Sequence, residues 1–119
     1  MNKQLRMDPE VKARWVKALR SGEYVQVQDR LRKGSKHCCL GVLCDLYTKE
    51  SGKRWGFSGM KWRDIFDFAD LPGPEVCIWA GLPDENPVVR IGKAKRALSG
   101  HNDNGAPFAE IADAIEEQL

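Results

Sequence analysis

A chain of 119 residues with 42% hydrophobic and 30% charged side chains has the make-up of a folded globular protein, not a disordered one. At this length roughly two-thirds of the unfolded surface can be buried, so neither a metal nor a disulfide is needed for folding. The net charge of +2 excludes a strongly acidic mimic of DNA, and no apolar run approaches the ~20 residues that span a bilayer.

Asp8-Pro9-Glu10 predicts a helix start: Asp8 caps, Pro9 fits the first helical position and Glu10 suits the positive end of the dipole. Val11, Trp15, Ala18 and Leu19 recur at helical spacing, and Gly22 is the expected stop. The alternation in Tyr24-Val25-Gln26-Val27-Gln28 predicts a short strand with one wet face. A basic turn follows, with Arg30, Arg32, Lys33 and Lys36 around Gly34-Ser35. A second helix is expected from about His37 to Glu50, with Leu40, Leu43, Leu46 and Tyr47 as its stripe and Gly41 as a point of close backbone approach.

Residues 53–63 mix Trp55, Phe57 and Trp62 with glycines and predict a turn or hairpin with aromatic plugs; Ile65, Phe66 and Phe68 form an apolar patch. Pro74 opens a short helix over Glu75–Ala80, with Val76 and Trp79 facing inward and Gly81 closing it. Val88–Ile91 reads as a brief strand, and Ala94–Leu98 is ambiguous. Asn102-Asp103-Asn104-Gly105 is a turn signal. The last helix starts at Pro107, buries Phe108, Ile111, Ala112, Ile115 and Leu119, and wets Glu110, Asp113, Glu116 and Glu117. The expected fold class is α+β: about three main helices packed on a small antiparallel sheet or hairpins, in one domain over residues 1–119.

Charge is uneven, with a net of +6 over residues 1–36 and −4 over 37–119. The basic third admits weak nucleic-acid binding as an alternative. Gly105–Ala112 resembles the opening of a helix-turn-helix, but the remaining residues are acidic and too few for a recognition helix. The basic start runs into Asp8-Pro9-Glu10 instead of the apolar stretch of a signal peptide, so a cytoplasmic setting is expected. Cys38, Cys39 and Cys44 lie within seven residues, and with Cys77 they read as reduced, buried thiols. No Cys-x-x-Cys knuckle accompanies His37 and these thiols, so neither a metal nor another cofactor is expected.

One chemical alternative stands out. A cysteine at a helix N-terminus feels a dipole that favours thiolate, and Cys39 occupies that place. The arrangement loosely resembles papain-like hydrolases of the cell-wall peptidase type, with His101 as the base. The Asp-Cys-Ser-Gly pattern of those peptidases is absent, and His101 lies in a polar turn instead of on an evident strand. Asp45, Asp64, Asp67 and Asp70 default to solvated surface.

Several segments in order also resemble a group of small proteins of bacteriophages, prophages and some bacteria. They are Arg14-Trp15-Val16-Lys17-Ala18-Leu19-Arg20-Ser21-Gly22-Glu23-Tyr24, Leu31-Arg32, His37 to Tyr47, Trp79-Ala80-Gly81-Leu82, Asn86-Pro87, and Asn102 to Ala112. The resemblance implies a phage-type setting and one compact domain, and brings no activity. Relatives usually carry leucine where this chain has His101, which weakens the hydrolase. They also tend to have a hydroxyl residue near Ala106 that would cap the last helix; here the cap falls to Asn104 or a backbone group.

The reading is therefore an accessory protein that binds a host protein, such as a defence component, or sequesters a small molecule. Nucleic acid and membrane are not expected partners, and the oligomeric state is not legible. The candidate binding residues are Arg30, Arg32, Lys36, His37, Trp55, Trp62, Asn102 and Asp103.

Overall fold

The computed structural model describes residues 6–53, 55–56, 65–66 and 71–119. Helix α1 spans Pro9–Arg20, and the Asp8 carboxylate accepts from the Glu10 and Val11 N–H groups as its cap. It buries Val11, Trp15, Val16 and Leu19. Strands β1 (Val25–Gln26), β2 (Arg32–Lys33) and β3 (Lys36–His37) form a small sheet in the order β1-β3-β2.

Helix α2, Cys39–Ser51, is the centre of the molecule. Cys39, Leu40, Gly41, Val42, Leu43 and Cys44 are all buried, so its first two turns are enclosed on every side. A helix apolar around its whole girth belongs in a core, and neighbours surround this one. Its N-cap is Cys38, whose sulfur accepts from the Gly41 N–H. Gly41 fulfils its expected role: a Cβ built there would fall 1.9 Å from the Leu31 carbonyl oxygen, so only glycine lets the 31–32 backbone lie this close. Leu31 in turn accepts from the Cys38 N–H at 3.0 Å.

Strands β4 (Trp55–Gly56) and β5 (Ile65–Phe66) pair, and α3 covers Pro74–Ala80. A hairpin of β6 (Val88–Ile91) and β7 (Ala94–Ala97) leads into α4 (Leu98–Asp103), and α5 (Phe108–Gln118) returns against α1. One buried cluster includes residues from all five helices and from β6. No helix among the described residues is long and apolar enough to cross a membrane.

The fold is mixed α+β, with α1, α2 and α5 as the long helices, but several expectations need correction. Besides the three long helices, two short ones, α3 and α4, bring the number among the described residues to five. The small sheets are not uniformly antiparallel: β1 runs parallel to β3, and β4 parallel to β5. The latter pairing rules out a simple hairpin between Trp55 and Ile65; the remaining calls on Phe57, Trp62 and Phe68 lie outside the described residues. The strand expected over Tyr24–Gln28 shrinks to two residues because the Val27 carbonyl accepts from the Asn102 side chain and Asp29 turns left-handed at φ 74°.

The turn expected over Asn102–Gly105 is half helix. Asn102 and Asp103 end α4, and only Asn104-Gly105 form the turn. Turn propensity loses there to tertiary hydrogen bonds on Asn102. Asn104 does not cap α5; its amide donates back to the Gly100 carbonyl, and Pro107 stands at the α5 N-cap without a side-chain bond. Trp79 is only half-buried, against Tyr47, with its indole N–H donating to Glu50.

Candidate functional site

The thiol segment sits behind the surface, not on it. Cys39 is 0% exposed, and its sulfur lies 3.7 Å from the Leu98 carbonyl. Burial pushes the Cys39 and Cys44 thiols well above their ordinary pKa, and pushes Cys38 up to about 11. All four cysteines are free and buried. His101 is buried in α4, and its Nε2 lies 2.8 Å from the Val89 carbonyl. A carbonyl only accepts, so Nε2 carries the proton in that bond. Nucleophilic catalysis needs a reachable thiolate and a base beside it. In this arrangement Cys39 is neither reachable nor ionised, and His101 bonds to backbone. No group of three or more His, Cys, Asp or Glu among the described residues is placed to hold a metal ion.

Asn102 explains why α2 and α4 lock together. It is 0% exposed, although the sequence placed it in an exposed turn. Its carbonyl oxygen accepts from Cys39 N–H at 3.1 Å and from the Gln26 amide at 2.9 Å, while its own amide donates to Val27 O at 2.8 Å. One side chain therefore caps the α2 N-terminus and holds the strand before the basic turn. Asn102 supports a site without forming its surface.

That support positions a polar cleft of about 510 Å³. Its lining brings together Asp29 and Arg30 from the loop after β1, Cys38 from the α2 cap, Leu71 ahead of α3, Asn86 from the loop before β6, and Ser99 and Asp103 from α4. Asp103 accepts from the Asp29 N–H at 3.0 Å, which holds Asp29 in its left-handed conformation. A non-glycine residue at such a φ costs free energy, and the bond to Asp103 helps maintain it. Asn86 and Ser99 exchange two bonds, amide to hydroxyl at 2.7 Å and Ser99 N–H to Asn86 carbonyl at 3.0 Å. Two exposed aspartates and the half-buried residue Arg30 thus line one concavity.

Of the candidate binding residues, Arg30 and Asp103 line this cleft. Arg32, His37 and Trp55 gather elsewhere, around Asp45. The Arg32 guanidinium lies 4.7 Å from the Trp55 ring centroid, and His37 meets both Tyr24 and Trp55 edge-on. Asp45, expected as solvated surface, is instead half-buried and accepts from Tyr24 OH at 2.5 Å and Trp55 Nε1 at 3.1 Å, with Lys49 Nζ at 3.4 Å. Burial raises the Asp45 pKa, but the Tyr24 and Trp55 bonds and the Lys49 charge more than offset it and leave it lowered. Burial also lowers the His37 pKa, against the pull of Asp45, and neither ring nitrogen finds a well-formed hydrogen bond. Lys36 is exposed on β3, apart from these groups, and Trp62 lies outside the described residues.

The sequence reading missed Asp29, Cys38, Asn86 and Ser99 as cleft residues. Single polar residues at loop ends carry no periodic signal; the Asn86-Pro87 dipeptide marked a turn and nothing about what the Asn86 amide faces.

Comparison with curated proteins and with solved structures finds no match. A family described as a domain of unknown function (DUF8296) matches residues 7–119, which takes in every element described above. The chain belongs to the DUF8296 family.

Proposed function

We propose that this chain is an accessory protein of a phage or prophage that works in the host cytoplasm by binding, and that it sequesters a small zwitterionic molecule in the polar cleft. The observation that carries this reading is the meeting of Arg30 with Asp29 and Asp103 in one concavity of about 510 Å³. That volume falls within the roughly 300–1,000 Å³ of small-molecule sites. A ligand with an acidic group and an ammonium group pairs with both kinds of charge, and the Ser99 hydroxyl adds a polar contact beside them. The phage setting rests on the sequence resemblance alone.

Binding without turnover is favoured by the state of the thiols: a cysteine hydrolase on Cys39 and His101 draws no support from a fully buried, protonated sulfur. Nucleic-acid binding loses two of its cations to ion pairs, Arg14 with Glu50 and Arg20 with Asp113 and Glu116. The test is a thermal-shift measurement with a host-cell extract limited to molecules under about 1 kDa. A ligand that binds only the folded state raises the melting temperature. The wild type should shift upward, Cys39→Ala should shift equally relative to its own baseline, and Arg30→Ala should not shift. Turnover of a substrate that Cys39→Ala abolishes would overturn the proposal.

A further inference from the structure

The outer edge of the β6–β7 hairpin is closed by a side chain that imitates a peptide bond. The Arg90 N–H donates to Gln118 Oε1 at 2.8 Å, and Gln118 Nε2 donates to the Arg90 carbonyl at 2.7 Å. Both backbone groups of Arg90 go to Gln118, so Arg90–Lys95 is a non-hydrogen-bonded pair of the antiparallel ladder and these groups point away from β7. A neighbouring strand would meet those same two groups with one N–H and one C=O. The primary amide of Gln118 supplies that pair from the end of α5.

The edge extends beyond this plug. Backbone direction repeats every second residue, so the Val88 N–H and C=O point outward as Arg90's do. The Val88 side chain is 55% exposed. A groove of about 440 Å³ runs here, lined by Val88, Arg90, Lys95, Glu117 and Gln118 among others. Residues directly opposite in a ladder share a face, so Arg90 and Lys95 project together from the outer face of the hairpin. Both are exposed, and among the described residues neither takes part in an ion pair. Glu117 lies on the α5 side of the groove.

We propose that this edge takes an extended acidic peptide of a partner protein as an added strand, with the Gln118 amide as the group it displaces. The peptide's backbone pairs with Val88 and Arg90, and its carboxylate side chains lie on the outer face against Arg90 and Lys95. Strand addition of this kind draws affinity from main-chain bonds and specificity from alternate side chains. A second copy of this chain is a poorer occupant, because its own Arg90 and Lys95 would face the same cations. The site is separate from the zwitterion cleft and stands whether or not that reading holds.

The experiment is an amide NMR titration of the full chain with a blocked six-residue peptide of alternating valine and glutamate. Shifts should concentrate at Val88, Arg90 and the Gln118 side-chain amide. Gln118→Ala removes the competitor and should tighten binding about three- to ten-fold, whereas Arg90→Glu with Lys95→Glu should weaken it at least ten-fold. A matching peptide with lysine in place of glutamate should bind at least ten-fold more weakly than the acidic one. Absence of shifts at millimolar peptide, shifts centred elsewhere, or weaker binding by a folded Gln118→Ala would overturn the proposal. So would concentration-dependent changes at Val88 and Arg90 without peptide, which would make a second copy the occupant.

Discussion

Replacing Gly41 with alanine sets two physical effects against each other. Helix propensity favours alanine over glycine in a helix interior by about 1 kcal/mol. Packing opposes it, because the new Cβ would lie 1.9 Å from the Leu31 carbonyl oxygen and 2.8 Å from its carbonyl carbon. These are backbone atoms with no rotamer to escape through. Reaching an ordinary contact of 3.4 Å needs about 1.5 Å of separation between α2 and Leu31, by simple difference. That movement breaks the 3.0 Å bond from Cys38 N–H to Leu31 O. Overpacking costs about 1–3 kcal/mol, and the lost bond about 1 kcal/mol. After the propensity gain is subtracted, the net destabilisation is about 1–3 kcal/mol, or a melting temperature lower by about 4–12 °C for a chain of this size. Thermal and urea unfolding followed by far-UV circular dichroism measure both quantities. An unchanged or higher melting temperature would refute the close approach of α2 to the 31–32 backbone, and with it the placement of Cys38 at the cleft.

Asn102→Ala leaves the Cys39 N–H and the Val27 carbonyl without the side chain that pairs them; at about 1–3 kcal/mol for each unpaired group, urea unfolding should show a loss of about 2–6 kcal/mol. The fully buried thiols of Cys39 and Cys44 should react with a disulfide reagent at pH 8 only as fast as the protein unfolds, and rapid native-state labelling of Cys39 would contradict its burial. For His37 the folded-state pKa lies below the unfolded value, so the unfolded chain binds the proton first. Stability should therefore fall as pH drops below about 6.5, and His37→Gln should remove that dependence in a pH series of urea midpoints. Asp45 has a lowered folded-state pKa, so its contribution is present above about 3.9 and is lost as pH falls through the folded value; Asp45→Asn should flatten that lower window in the same series.

The long helices were legible because each carries redundant signals. Asp8, Pro9 and the Val11–Trp15–Leu19 stripe agree on α1, and the Leu40–Tyr47 stripe with Gly52 agrees on α2. Gly41 was legible as a close approach because a glycine inside an apolar helix has few other uses. The short strands were not, since two-residue pairings are decided by who bonds to Val27 and Leu31, and both partners come from far along the chain or across the turn. The α4 helix was misread for the same reason: Asn102-Asp103-Asn104-Gly105 has turn propensity throughout, yet Asn102 is fixed by Gln26, Val27 and Cys39. Asp45 shows the limit for charges. Nothing local distinguishes it from a solvated carboxylate until Tyr24 and Trp55 fold onto it.

The site divided along similar lines. The basic turn and the polar tetrad drew attention to Arg30 and Asp103, which line one cleft, while Asn86 and Ser99 depend on loops whose spacing says nothing about a shared cleft. The cysteines pulled the reading towards catalysis by position at a helix start, and their burial pulls it back to packing.

The central claim is capture of a small zwitterion at Arg30, Asp29 and Asp103 without turnover. Native mass spectrometry of the protein after incubation with a small-molecule extract of host cells tests it most directly. Capture without turnover gives a bound adduct of unchanged mass over time on the wild type and on Cys39→Ala, lost in Arg30→Ala and in Asp103→Ala. No adduct on the wild type, or one that persists in both cleft variants, would contradict it.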